Sequence, residues 1–258
     1  MQIIPLSEGA FTIDKSKRFI PFDLEKDDLQ QRPTGSLLVE VQPFAVRTTE
    51  DILVIDTGLG FAHNGVLQIH QNLRNAGIDP ASVTKVLMSH LHKDHAGGIS
   101  GDCSGDEIGG DGAGGARFPR QLACPNATYY IQRKELDYAF EKGPTSYIPE
   151  ELECLRNNPR VVFLDGDGVI DGYIKYNVTG AHCPWHQVFW IVDGGETVFF
   201  GGDVAPQLQQ MKSRFVAKYD YDGKKAMELR QEWWGQGQRE DWTFLFYHDV
   251  RTPTFSFR

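Results

Sequence analysis

Apolar positions along the chain come in short runs, and the spacing inside each run names an element. Leu37-Leu38-Val39-Glu40-Val41, Phe44-Ala45-Val46 and Ile52-Leu53-Val54-Ile55 read as three strands in succession. Residues 2–13 carry shorter apolar patches on either side of Gly9, the pattern of an opening strand pair. Over 64–76, Val66, Ile69, Leu73 and Ala76 fall on one helical face and Gly77 stops the helix. Asp79-Pro80-Ala81-Ser82 is a capped turn with proline first, and Val86-Leu87-Met88 is a buried strand. Strands are expected at 127–131, 161–164, 170–174 and 176–178, and helices at 132–141 and 149–157. Residues 187–192 and 197–200 form a hairpin around Asp193-Gly194-Gly195. A helix over 223–234 turns Met227, Leu229 and Trp233 or Trp234 inward, and 243–247 is the last strand. Interleaved strands and helices with apolar strands predict an α/β layer arrangement. With no linker composition anywhere, residues 1–258 read as one domain.

Two stretches do not fit the layers. Residues 14–34 are polar with Phe19, Ile20, Phe22 and Leu24 scattered among them, which suggests an excursion over a site rim or a partner subunit, or a loop packed on its own domain. Residues 97–118 are glycine-rich, with nine glycines over 97–115, and supply no core. They read as a covering loop or a surface loop, with Asp102, Asp106, Glu107 and Asp111 as solvated charge.

Composition narrows the function. The 258 residues are 40% hydrophobic and 24% charged, ordinary for a soluble globular protein, and the formal charge is −9. That balance argues against a nucleic-acid partner, which wants clustered Lys and Arg. No apolar run reaches the roughly 18 residues a membrane helix needs. Cys103, Cys124, Cys154 and Cys183 are scattered without a C-x-x-C pair, so reduced thiols and a cytoplasmic location are expected. The first residues lack a basic and then apolar leader.

The chemistry sits directly after the strand at 86–88. Ser89-His90-Leu91-His92-Lys93-Asp94-His95-Ala96-Gly97-Gly98 packs three histidines and an aspartate into six residues. His90 and His92, two apart, leave an extended strand end on the same side. Asp94 and His95 follow as the chain turns, so the four side chains can serve two nearby points. Imidazole with carboxylate suits zinc, iron or manganese better than calcium or magnesium.

This segment resembles the signature of the metallo-β-lactamase superfamily. Later segments resemble the rest of that series, from about residue 35 to 250. Thr179-Gly180-Ala181-His182-Cys183-Pro184-Trp185-His186 is similar to the family's T-x-G-H-x-x-G-H turn, with Gly180-Ala181 and Trp185 as departures. Asp203, after Phe199-Phe200-Gly201-Gly202, resembles the aspartate shared by two metals. His248, in Phe244-Leu245-Phe246-Tyr247-His248-Asp249, resembles the last ligand. The resemblance implies a four-layer αββα sandwich holding two divalent metals, zinc, or else manganese or iron. His90, His92 and His182 would hold one, Asp94, His95 and His248 the other, and Asp203 both. Asp56, in Asp56-Thr57-Gly58, would lie beneath and orient the ligands, and His186 would support them without binding. Cys183 reads as a small buried residue facing away from the metals.

The implied activity is hydrolysis, with a metal-bridging hydroxide attacking an ester or lactone carbonyl and Asp94 relaying a proton to the leaving group. Oxygen-reducing relatives carry glutamate where His92 stands, and class B β-lactamases lack the shared aspartate. The His248-Asp249 ending is similar to that of acyl homoserine lactonases. Those enzymes carry tyrosine three residues after the shared aspartate, and here that position is Pro206. Phosphotriester or thioester hydrolysis, and a non-enzymatic binding protein stabilised by metal, are the alternatives. The expected partner is a small-molecule substrate, with no nucleic acid or membrane, and a homodimer is suggested by the dimeric relatives.

Overall fold

The computed structural model describes residues 1–101 and 121–257. In chain order its strands and helices are β1 (Gln2–Pro5), β2 (Ala10–Ile13), β3 (Phe19–Pro21), β4 (Leu37–Glu40), β5 (Phe44–Arg47), β6 (Ile52–Ile55), β7 (Ala62–His63), β8 (Val66–Leu67) and α1 (Gln68–Asn75). There follow β9 (Lys85–Leu87), α2 (Lys93–Ala96), β10 (Ser100–Gly101), β11 (Gln121–Leu122), β12 (Thr128–Gln132), α3 (Arg133–Lys142), α4 (Pro149–Leu152), β13 (Val161–Leu164), β14 (Gly168–Ile170) and β15 (Ile174–Val178). The last are β16 (Gln187–Asp193), β17 (Glu196–Phe200), α5 (Leu208–Met211), α6 (Gly223–Arg239), β18 (Thr243–Leu245) and β19 (Thr254–Ser256).

Two six-stranded sheets carry the fold, in the orders β1-β5-β6-β9-β12-β13 and β14-β15-β16-β17-β18-β19. Alternation along each strand builds three apolar layers. In β9 and just after it, Val86 and Met88 face α1, α3 and α4, whereas Leu87 faces the second sheet. Phe44, Leu53 and Ile55 meet Phe189, Ile191, Phe200 and Leu245 between the sheets. Val188, Trp190, Phe199 and Phe244 point outward under Met211 of α5 and Trp233 of α6. Helices, sheet, sheet, helices is therefore the order of layers, the αββα sandwich.

Strand direction places the site. β6 and β9 are parallel neighbours with Ile55 opposite Leu87, so Asp56 and the segment after Leu87 leave the first sheet together. β17 and β18 are parallel with Phe200 opposite Leu245, so Asp203 and His248 leave the second sheet together. β15, running the same way two strands over, ends at Val178 shortly before His182. The amide of Gln187 donates to Ser89 O at 2.9 Å and its side-chain Nε2 to Met88 O at 2.7 Å, which ties the two sheets at this edge.

Several local readings are corrected. β1 and β2 do not pair with each other; β1 joins β5 in the first sheet, and β2 is the centre of a separate sheet β3-β2-β4. The excursion at 14–34 contains β3 and the one-turn 3-10 helix Leu29–Gln31, and it packs on its own chain, one of the readings the sequence left open. Lys93 Nζ donates to Lys17 O at 2.6 Å, and Lys17 Nζ donates to Ser146 Oγ. The helix expected from 64 begins at Gln68, because Asn64-Gly65, with φ of 50° and 72°, first turns the hairpin β7-β8. Both central residues at positive φ make this the turn that Asn-Gly favours. The strand expected at 170–174 is a turn through Asp171 and Gly172, with β14 ending where it was to begin. α4 spans four residues before a 3-10 turn, α6 extends to Arg239, and α2, α5 and β19 were not anticipated. Of the glycine-rich stretch, residues 102–118 and with them Cys103 lie outside the described residues. Among the described residues no helix is long and apolar enough to cross a membrane.

Candidate metal centre

His90 follows β9 by three residues and is buried; His92 caps the N-terminus of α2, which carries Asp94 and His95. Two glycines let this segment lie on the loop after β6. A Cβ on Gly97 would stand 2.3 Å from Leu59 O, and one on Gly98 2.1 Å from Thr57 O. Thr57 N–H in turn donates to His95 O at 2.7 Å. The other face of that loop is held by Glu8, whose Oε2 accepts from Leu59 N at 2.7 Å. Burial pushes the Glu8 carboxyl up to about 7, against the pull of that backbone bond.

All seven expected ligands come together. Ligand-type atoms of His90, His92, His182 and Asp203 lie within 4.8 Å of one another, and so do those of Asp94, His95 and His248. Asp203 joins the two groups: its Oδ1 lies 3.0 Å from both His95 Nε2 and His248 Nε2, and its Oδ2 3.3 Å from His182 Nε2. Asp94 Oδ2 is 3.5 Å from His248 Nε2 and 3.7 Å from His95 Nε2. His92 presents Nδ1 to His182 Nε2 at 3.1 Å.

The outer ring nitrogens fix which atom faces inward. His95 Nδ1 donates to Asp56 Oδ2 at 2.7 Å, His182 Nδ1 to Asp220 Oδ1 at 2.9 Å, and His248 Nδ1 to Glu40 O at 2.6 Å. Ser89 Oγ gives its proton to Asp56 Oδ2 and can accept from His90 Nδ1 at 3.0 Å. A histidine whose Nδ1 carries the proton keeps the Nε2 lone pair, the form a metal ligand requires. Four histidines thus have an acceptor for Nδ1 outside the cluster, an arrangement that leaves Nε2 free for a cation.

Charge and hydrogen bonding both fit cations here. His90 Nε2, His95 Nε2 and Asp203 Oδ1 are buried without any aligned hydrogen bond, although burial normally demands one. Burial holds the His90 and His92 imidazoles well below the usual histidine range, with the neighbouring rings adding to the effect, so both are neutral. Burial also pulls on His95 and His248, but Asp203 and Asp94 outweigh it and keep both above their ordinary value. The Asp203 carboxyl, despite its burial, is held well below the usual range by His248, His95 and His182. The carboxylates draw positive charge to the centre, and neutral imidazoles with carboxylates are a donor set for zinc, iron or manganese.

His186 belongs to neither candidate group. Its Nε2 accepts from the amide of Asp203 at 3.2 Å, and its Nδ1 lies 3.3 Å from Thr179 Oγ1. It fixes the backbone that carries Asp203, and Gly202 makes the approach possible. Gly202 has φ +48°, and a Cβ there would stand 2.6 Å from His186 Nε2. Gly202→Ala is expected to cost about 1–2 kcal/mol for the left-handed backbone alone, with the clash in addition, and to lower the metal content. Thermal unfolding and metal analysis of the purified variant measure both. Cys183 is buried, as expected, with Sγ 3.4 Å from Glu135 Oε2.

Other supports carry no motif. Tyr247 stacks on His95 at 4.0 Å between ring centroids and donates its hydroxyl to Asp94 O at 2.6 Å. Arg230 of α6 is fully buried; Nη1 donates to Val204 O at 2.7 Å and Nη2 to Phe215 O, bracing the segment after Asp203. Pro206 offers its carbonyl to the amide of His248 at 3.0 Å. A phenol approaches from elsewhere: the half-exposed Tyr219 lies edge-on to His182 at 6.2 Å.

The model of the metallo-beta-lactamase superfamily matches residues 39–101. An N-acyl homoserine lactonase, AttM, from Azorhizobium caulinodans is 34% identical over 128 residues, covering 45% of this chain and 38% of that protein. The chain thus matches well under half the length of this relative. A probable metal-dependent hydrolase from Staphylococcus aureus superposes with a TM-score of 0.76 at 18% identity, over 99% of this chain and 92% of the other. AidC, a dizinc quorum-quenching lactonase solved with a product, N-hexanoyl-L-homoserine, gives 0.69 at 18% identity, over 98% and 88%. The chain therefore shares the αββα fold of these solved structures, and its residues 39–101 match the model of the metallo-beta-lactamase superfamily.

Proposed function

We propose that this protein is a binuclear metallohydrolase that opens a lactone or another carboxylic ester. The observation that carries the reading is the orientation of four of the seven side chains. His90, His95, His182 and His248 each have an acceptor for Nδ1 outside the cluster and turn Nε2 toward Asp203 or its neighbours. The two groups would hold divalent cations, which when bound would supply Lewis acidity for a carbonyl oxygen and a water acidic enough to act as a nucleophile near neutral pH.

The chain's own residues do the rest. Asp203 spans both groups and fixes their separation. Asp94 Oδ2 faces His95 and His248, which leaves its other oxygen to take a proton from the attacking water. Delivered to the alkoxide as the carbon–oxygen bond breaks, that proton turns a lactone and water into a hydroxy acid. No serine or cysteine nucleophile is needed, and the buried Cys183 thiol is engaged with Glu135. Similarity to AttM and AidC favours a lactone, and the net charge of −9 favours a small molecule over a nucleic acid.

The test is a panel of an N-acyl homoserine lactone, a thioester, a phosphotriester and a β-lactam, assayed on zinc-loaded and manganese-loaded protein. Lactone or ester turnover that disappears on chelation and returns with metal is expected. Preference for the phosphotriester or thioester would replace the substrate class. Full metal content with no turnover of any substrate would favour a binding protein stabilised by metal.

A further inference from the structure

One buried acid reaches every histidine of a single ligand group. Glu135 lies in the first turn of α3 and is 1% exposed. Its Oε1 accepts from the amide of Leu91 at 3.0 Å and from Tyr147 OH at 3.2 Å. Its Oε2 takes the thiol of Cys183 at 3.4 Å. Leu91 separates His90 from His92, the Tyr147 ring lies edge-on to His92 at 4.8 Å, and Cys183 follows His182. The loop that bears Tyr147 is tied to the ligand segment a second time, through Lys93 N–H to Ser146 O at 2.8 Å. The second group rests on other partners: Asp56 and Tyr247 for His95, Tyr247 for the backbone of Asp94, and Glu40 O for His248; of these only Asp56 also reaches the first group, through Ser89 Oγ to His90.

We propose that Glu135 is a positioning residue for the cation of His90, His92 and His182, and not for its neighbour. It rests on the binuclear reading above. A buried acid is costly unless donors surround it. Here three donors, from three separate segments, do so. Each segment carries or touches a histidine of the same group. The carboxyl therefore clamps the ligand loop, the 143–148 loop and the turn after β15 into one arrangement, with His92 and His182 3.1 Å apart. Loss of the clamp loosens that pair while Asp94, His95 and His248 keep their supports.

Zinc and cobalt titrations of the full-length protein, read by bound metal and by cobalt ligand-field absorption, test this directly. His182→Ala and His248→Ala serve as references for loss of each cation. Glu135→Ala is expected to weaken one cation by about 10–100-fold, the range for partners that orient ligands. The absorption it loses should match that lost in His182→Ala. Glu135→Gln keeps an acceptor for Leu91 and Tyr147 and should recover most of the affinity. Equal weakening of both cations in a folded Glu135→Ala, no weakening, or a Gln variant no better than Ala overturns the assignment. Should Glu135→Ala not fold, Tyr147→Phe, which removes one donor, decides by the same split. A wild-type protein that takes up no cation sinks the binuclear reading itself. Two bound cations with an even response sink only the role of Glu135.

Discussion

Asp203→Ala is expected to abolish hydrolysis and to weaken metal binding by more than about 100-fold, the upper end for residues that merely orient ligands. The expectation follows from its position. Its two oxygens reach His95 and His248 on one side, at 3.0 Å each, and His182 on the other, at 3.3 Å. No other carboxylate among the described residues belongs to the group that holds His90 and His92. Two dications held by neighbouring groups would repel, and a carboxylate lying between the groups would offset that repulsion. Removing it leaves three imidazoles and no carboxylate for one cation and a lone carboxylate with two imidazoles for the other. The fold should survive, because the backbone amide of Asp203 keeps its bond to His186. Asp203→Asn keeps the shape and loses the charge, so it should retain at most one cation. Metal stoichiometry with lactone turnover measures both variants. Two tightly held ions in Asp203→Asn would show that the carboxylate does not bridge.

Of the seven candidate ligands, His90, His92, Asp94 and His95 were legible as a cluster after the apolar run Val86-Leu87-Met88, and His182, Asp203 and His248 through the resemblance of their segments to a known series. The acceptors behind them were not. Asp220 meets His182 across 38 residues, and Glu40 meets His248 across 208. Neither belongs to a spacing that the backbone repeats, so no pattern in the chain marks them. Glu135 is one acid in a polar-looking helix, and only the packing of α3 on the first sheet turns it inward. Arg230 is hidden for the same reason, since a charged residue on a helix is normally solvated. At the N-terminus the two opening strands were visible but their partners were not. Register is set by which face is buried, and β1 and β2 bury theirs in different sheets. The hairpin at Asn64-Gly65 carried a strong local signal that the helical spacing of Val66, Ile69 and Leu73 overrode. There the turn chemistry was the better guide.

The hidden acceptors lead to a sharper test than removing a ligand. Asp56→Asn is expected to leave the fold nearly unchanged and to lower affinity for the cation of Asp94, His95 and His248 by about 10–100-fold. Asp56 is fully buried, with φ +55°, a backbone that asparagine tolerates as well as aspartate. Its Oδ1 accepts from Ser89 N at 2.7 Å, and its Oδ2 from Ser89 Oγ at 2.6 Å and His95 Nδ1 at 2.7 Å. An amide can keep the first bond only by turning its NH2 toward the other two groups. Ser89 Oγ can rotate to accept. His95 must move its proton from Nδ1 to Nε2, and Nε2 then points a hydrogen at Asp203 in place of a lone pair. Asp56→Ala is the contrasting case. It strips three buried donors of their acceptor at about 1–3 kcal/mol each, so it should lose several kcal/mol of stability along with the metal. Thermal unfolding separates the variants, and metal titration shows which cation each one loses. Wild-type affinity in Asp56→Asn would mean that the proton on His95 is not what Asp56 controls.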